Sequence, residues 1–128
     1  MKKAIEGAQL APAIGPYSAA IAHGNMVFTS GQIALDPATG KLDLGSGILD
    51  ETRLVMRNLK SVLAAADCTF DEVVKCSIFL SDMSLFPQVN EVYASFLSEP
   101  YPARETVAVR ELPKGVNVEI SCIAIKKG

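Results

Sequence analysis

The chain predicts an α+β fold, a mixed β-sheet with two helices packed on one face, and three observations carry that reading. Six short runs rich in β-branched residues are separated by turn formers, and two longer stretches repeat apolar residues at helical spacing. The two kinds follow one another as β-β-β-α-β-α-β-β, which asks a sheet to bury one face under both helices. The 128 residues make a single domain, residues 1–128.

In chain order, residues 2–15 contain Gly7, Pro12 and Gly15 and read as a short edge strand followed by irregular chain. Tyr17–Ala22 and Met26–Ser30 flank His23-Gly24-Asn25, a turn signal, and are expected to form a β-hairpin. His23 falls at the turn and is assigned no catalytic role. Ser30-Gly31-Gln32 ends the hairpin, where Gly31 admits two readings: a β-bulge, or a backbone that a ligand approaches closely. Residues 36–47 form a polar, glycine-rich loop without the spacing or the lysine of a phosphate-binding loop, so nucleotide binding is not expected.

Asp50-Glu51-Thr52 opens a helix to about Ala66, with Val55, Met56, Leu59, Val62, Leu63 and Ala66 on one face and Arg53, Arg57 and Lys60 on the other. Val73–Leu80 is dense in apolar residues and reads as a buried strand. Asp82-Met83-Ser84 supplies caps for a second helix over Leu85–Leu97, which tolerates Pro87 in its first turn. Its apolar stripe is Phe86, Val89, Val92, Tyr93 and Phe96, and Asn90 falls off the stripe's centre.

The last two strands are Thr106–Arg110 and Val116–Ile125, joined through Leu112-Pro113-Lys114-Gly115. Alternation puts Val116, Val118, Ile120, Cys122 and Ala124 in one layer and Asn117, Glu119 and Ser121 in the other. Glu119 is the odd residue, because a carboxylate in an apolar strand is costly to desolvate unless it is paired, hydrogen-bonded or facing a wet cleft. Arg104 stands at the entry of the first of these strands, and its planar fork suits a carboxylate. Glu105 points to the opposite face. From spacing alone, Arg104 and Glu119 are as readily a structural ion pair as a functional one.

Composition narrows the function classes. A hydrophobic content of 49% and a mean hydropathy of +0.27 are high for so small a unit and point to oligomerisation. The net charge of −2 and pI near 5.3 make no electrostatic case for nucleic acid. No apolar run approaches the ~20 residues of a membrane span, and a cytoplasmic protein is expected. Cys68, Cys76 and Cys122 lack close pairing and fit reduced thiols, and with one histidine a Cys/His metal site is not expected.

Pro102-Ala103-Arg104, Leu112-Pro113-Lys114 and Val118-Glu119-Ile120, with Gly15-Pro16-Tyr17-Ser18 and Ser30-Gly31-Gln32 upstream, resemble the Rid (reactive intermediate deaminase, YjgF-like) family. The enamine/imine deaminase subgroup is the nearest in pattern, and the resemblance spans nearly the whole chain in order. It implies an α+β fold like that of chorismate mutase, a homotrimer, and a site in the cleft between neighbouring subunits. The implied reaction hydrolyses 2-aminoacrylate and similar enamine/imine intermediates, released by pyridoxal-phosphate enzymes, to 2-oxo acids and ammonia. No metal or organic cofactor is implied.

Carried over by motif, Arg104 holds the substrate carboxylate, Glu119 positions or activates water, and the Thr106 backbone carbonyl contacts that water. Tyr17, Ser30, Gly31 and Asn90 line the pocket. The sequence departs from the pattern at Thr106, where members often have Cys or Ser, and at Ala19, where many have Gln. A main-chain role survives the first change, and the second bears on substrate preference. The rival readings are a non-enzymatic trimeric module that binds small 2-oxo acids through Arg104 as a regulatory ligand, and a chorismate mutase. The mutase would need more cations than Arg104, Arg110 and Lys114 offer.

Overall fold

In the computed structural model, which describes residues 1–11, 13 and 15–127, the strands are β1 (Lys3–Ile5), β2 (Ala20–His23), β3 (Met26–Thr29), β4 (Val73–Leu80), β5 (Ala103–Ala108) and β6 (Val118–Ile125). The helices are α1 (Ile48–Ala65) and α2 (Phe86–Ser95). The strands form one mixed sheet in the order β1-β2-β3-β6-β4-β5. Its only parallel pair among the described strands is β4 with β5. Parallel neighbours need a crossover, and α2 supplies it.

Sequence periodicity becomes layering directly. Along β6, Val118, Ile120, Cys122 and Ala124 are buried while Glu119, Ser121 and Ile123 are only partly so. Val55, Met56, Leu59 and Leu63 of α1 are fully buried, as are Val27, Ile78, Leu80 and Ile120 of the sheet. Each such side chain contributes about 1.5–3 kcal/mol relative to exposure. The opposite sheet face carries Ile21, Met26, Phe28, Val107, Ile123 and Ile125 with no helix over it among the described residues, and Phe28 is 40% exposed and Val107 44%.

The element boundaries move in ways that matter. The first hairpin strand begins at Ala20 rather than Tyr17, and its partner ends at Thr29, so Tyr17 and Ser30 lie just outside the ladder. Gly24 at the turn has φ 60, the positive value that favours glycine there. β5 begins at Ala103 rather than Thr106, which puts Arg104 inside the strand opposite Cys76. Helix α1 begins two residues before Asp50. Glu51 is then not an exposed opening residue but a carboxylate only 1% exposed, which accepts hydrogen bonds from the Asn117 and Val118 amides at 2.8 and 3.3 Å.

Candidate active site

The seven sequence-predicted site residues divide between the two faces of the sheet. Val118 and Ile120 point into the helix-covered core, so Glu119 between them projects from the uncovered face. There a cavity of about 460 Å³ is lined by Tyr17, Ser30, Gly31 and Glu119, together with Ala19 and Lys114. Arg104 pairs in register with buried Cys76 and so projects toward the helix side. A second cavity of about 470 Å³ there is lined by Asn90, Tyr93, Tyr101, Pro102 and Arg104, and none of the described residues lines both. The expected alternative of an Arg104–Glu119 ion pair is therefore wrong within one protomer, because the residues leave the sheet on opposite sides.

Ser30 and Gly31 are placed by the chain that follows β3. The Ser30 amide donates to the Ala19 carbonyl at 2.9 Å and its hydroxyl to the Ser18 carbonyl at 2.5 Å, which ties it to the segment carrying Tyr17. Gln32 and Ile120 exchange backbone hydrogen bonds of 2.8 and 3.1 Å and bring Gly31 alongside β6. The Asn58 amide donates to the Ile33 and Leu35 carbonyls and holds the next residues from below.

Gly31 is explained by this packing rather than by a bulge. A Cβ at position 31 would lie 2.6 Å from Glu119 Cδ and 2.7 Å from Oε2, far inside van der Waals contact. The Glu119 carboxyl thus rests on the bare Cα, half-buried, and burial pushes its pKa above the ordinary 4.5. Gly31→Ala is expected to displace the carboxyl while the fold survives, since the Glu119 side chain can swing outward. Stability should fall by less than about 2 kcal/mol, while any activity that needs Glu119 falls by roughly two powers of ten or more. A thermal melt run beside an activity assay checks both halves.

Arg104 is held by α2. Its Nη1 donates to Asn90 Oδ1 at 2.6 Å, and its guanidinium carbon lies 5.2 Å from the ring centroids of both Phe86 and Tyr93. Each cation–π contact is worth about 0.5–1 kcal/mol at a solvent-accessible site. Arg104 has no ion pair among the described residues, so its remaining N–H groups keep their charge for a ligand. Glu105, on the other face, is taken up by the Ser77 hydroxyl and by Lys75 at 3.1 Å, which hold its carboxyl below the ordinary range. The neighbouring charge is thereby kept away from Arg104.

Thr106 follows on the same side as Arg104, and its hydroxyl is buried without a hydrogen-bond partner. The Val109 amide donates to the Leu80 carbonyl at 2.8 Å, so residues 105, 107 and 109 bond to β4 by the alternation of a parallel ladder. The peptide groups of Arg104 and Thr106 consequently point outward from the sheet's edge strand, where they are available to a neighbouring chain or a ligand.

Three residues near these cavities escaped the sequence reading. Lys114, at φ 57 in the tight turn before β6, lines the Glu119 cavity, and nothing local marks it as other than a turn residue. Phe86 and Tyr93 belong to the apolar stripe of α2, which by itself marks them only as core. With Asn90 they stand at i, i+4 and i+7, one face of a helix, and that spacing was the available signal.

Residues 8–126 match the family model described as Endoribonuclease L-PSP. A RutC family protein of Pyrococcus horikoshii is 45% identical over 127 residues, covering 99% of this chain and 100% of the relative. A Mus musculus protein named 2-iminobutanoate/2-iminopropanoate deaminase is 40% identical over 126 residues, covering 98% of this chain and 93% of its own. Among solved structures, that of Escherichia coli TdcF with bound serine superposes with a TM-score of 0.91 at 39% identity, covering 98% of this chain and 99% of that one. Relatives over almost the full length thus carry differing names on one fold.

Proposed function

The chain belongs to the Rid (YjgF-like) family, whose model carries the description Endoribonuclease L-PSP, and from that membership we propose that it is an enamine/imine deaminase. It converts 2-iminobutanoate and 2-iminopropanoate, released by pyridoxal-phosphate enzymes, to 2-oxo acids and ammonia. The working unit is a homotrimer with sites between protomers. The observation that carries this reading is the division of the site: Arg104, Asn90 and Thr106 stand on one side of the sheet, and Tyr17, Ser30, Gly31 and Glu119 on the other. A neighbour seated on the uncovered apolar face brings one protomer's Arg104 to the next one's Glu119 and covers that face. The relatives named as deaminases and the serine-bound TdcF structure support a small amino acid-like substrate.

The imine carbon is already electrophilic, so the site has three tasks. Arg104 binds the carboxylate through the donors that Asn90 leaves free. The outward Thr106 carbonyl and Glu119 hold the attacking water, and Glu119 takes a proton from it as the C–O bond forms. That proton passes to nitrogen to give the carbinolamine, and the proton of the new hydroxyl follows it through Glu119 to nitrogen as the C–N bond breaks, releasing ammonia and leaving the C=O of the 2-oxo acid. Positioning contributes up to ~7–11 kcal/mol and acid–base assistance about two to four powers of ten. Every step uses this chain's own residues, and we place the reaction in the cytoplasm, without nucleic acid or membrane. Among the described residues no helix is long and apolar enough to cross a membrane.

The test is the rate of 2-oxo acid formation when the protein is added to a pyridoxal-phosphate threonine dehydratase reaction. Wild type should accelerate imine decay and Glu119→Gln should not, while both bind 2-oxobutanoate. Because burial raises the Glu119 pKa and the base must be ionised, kcat/KM should rise with pH through a midpoint above 4.5, and Glu119→Gln should lose that limb. An assembled trimer that binds 2-oxobutanoate yet leaves imine decay unchanged would be a binding module instead.

A further inference from the structure

Arg104 is exposed in the protomer, and a free arginine samples many rotamers at a cost of roughly 2 kcal/mol when one is selected. Here its guanidinium is held by three side chains on one face of α2. Phe86 and Tyr93 are seven residues apart on α2, about 10 Å along its axis, and the guanidinium carbon sits 5.2 Å from each ring. Asn90 lies between them and accepts the Nη1 hydrogen bond at 2.6 Å. Tyr93 is only 5% exposed, and its hydroxyl, beside the Cys76 thiol, has no well-formed hydrogen bond. A phenylalanine would fill that core position without leaving a buried polar atom unpaired, so the hydroxyl offers no evident reason for tyrosine. The position does call for an aromatic ring, which phenylalanine would supply equally, because the ring is half of the surface on which Arg104 rests.

We infer that Phe86 and Tyr93 are positioning residues, an aromatic clamp on α2 that orients the Arg104 guanidinium so that its free edge meets the substrate carboxylate. The inference deepens the proposed function and rests on Arg104 being the carboxylate holder. An alkyl side chain at either position fills space but offers no π face, so the guanidinium keeps its charge and loses its direction. Lysine at position 104 cannot take the same place, since it is a point charge without a planar fork.

The experiment measures 2-oxobutanoate affinity by calorimetry, and the Arg104 side-chain N–H signal by NMR, in full-length wild type, Phe86→Leu, Tyr93→Leu, Tyr93→Phe, Arg104→Ala and the Arg104→Ala/Phe86→Leu pair. Ring currents should displace the wild-type Arg104 signal, and Phe86→Leu should return it toward that of a free arginine. Phe86→Leu and Tyr93→Leu should each weaken affinity about two- to fivefold and raise KM with little change in kcat. Tyr93→Phe should restore what Tyr93→Leu loses. The double variant should bind no worse than Arg104→Ala, because the clamp acts only through Arg104.

If Arg104→Ala loses affinity while Phe86→Leu keeps both wild-type affinity and the wild-type signal, the clamp is overturned and the proposed function stands. If Tyr93→Phe fails to restore affinity, the hydroxyl and not the ring is responsible, and the clamp falls. If Arg104→Ala itself binds 2-oxobutanoate normally, the carboxylate assignment falls and takes the clamp with it.

Discussion

Arg104→Ala and Glu119→Gln, each nearly inactive alone, should regain activity when the two chains are unfolded, mixed in equal amounts and reassembled. On the proposed mechanism Arg104→Ala removes the charge-assisted hydrogen bonds to the substrate carboxylate, and loss of such a contact lowers kcat/KM by about two to three powers of ten. Glu119→Gln removes the proposed proton acceptor and should cost about two to four. The two side chains project from opposite faces of the same sheet and line different cavities, so a site containing both takes them from different protomers. In a randomly mixed trimer, an intact site needs its arginine from a Glu119→Gln chain and its glutamate from an Arg104→Ala neighbour. Each has a chance of one half, so about one site in four is restored. Recovery near a quarter of wild-type turnover would place the site between subunits. No recovery from correctly reassembled mixtures would sink that arrangement, and a light-scattering mass equal to one chain would do so sooner.

The second large effect concerns Glu51, which touches neither cavity. Its carboxylate accepts the Asn117 amide at 2.8 Å, the Asn117 side-chain amide at 2.9 Å and the Val118 amide at 3.3 Å. Asn117 is held in turn by Ser81, through a hydroxyl bond to its side-chain oxygen at 3.0 Å and a backbone bond at 3.0 Å. Helix α1 thereby satisfies the amides of Asn117 and Val118 at the point where β6 enters the core. Glu51→Ala would leave buried donors unpaired and a void beside α1, at a cost of about 3–5 kcal/mol. For a domain of this size that is a melting temperature lower by roughly 10–20 °C. Glu51→Gln keeps one acceptor oxygen but turns an N–H toward a donor, and should cost about half as much. Thermal melts at several protein concentrations separate this loss from dissociation of the assembly. A melt for Glu51→Ala within about 2 °C of wild type would show that the amides find other partners.

Glu51 also shows where reading the chain as a string stops. Asp50-Glu51-Thr52 has the composition of an exposed helix start, where acidic residues favour the positive end of the helix dipole. Beginning the helix two residues earlier turns Glu51 inward, and its partners lie 66 and 67 residues away, beyond the reach of any local pattern. Gly31 is similar. A glycine after a strand is compatible with a bulge or with a ligand, and the actual reason for it, the Glu119 carboxyl resting on its Cα, comes from a residue 88 positions downstream.

Local periodicity was enough for the elements themselves. Alternation along β6 put Glu119 opposite Val118 and Ile120, and the apolar spacing of α1 named most of its buried face, because both depend only on the period of a strand or helix. Turn formers marked the hairpin at Gly24 for an equally local reason, the positive φ that glycine adopts without strain. Strand pairing was another matter. That β5 runs parallel beside β4, with Arg104 opposite Cys76, sends Arg104 to the helix side and Glu119 to the open one, and register is set by which apolar faces must be buried together. The motifs could name candidate residues. Their separation onto two faces of one sheet arises from long-range packing, since no single protomer can turn both faces toward one ligand.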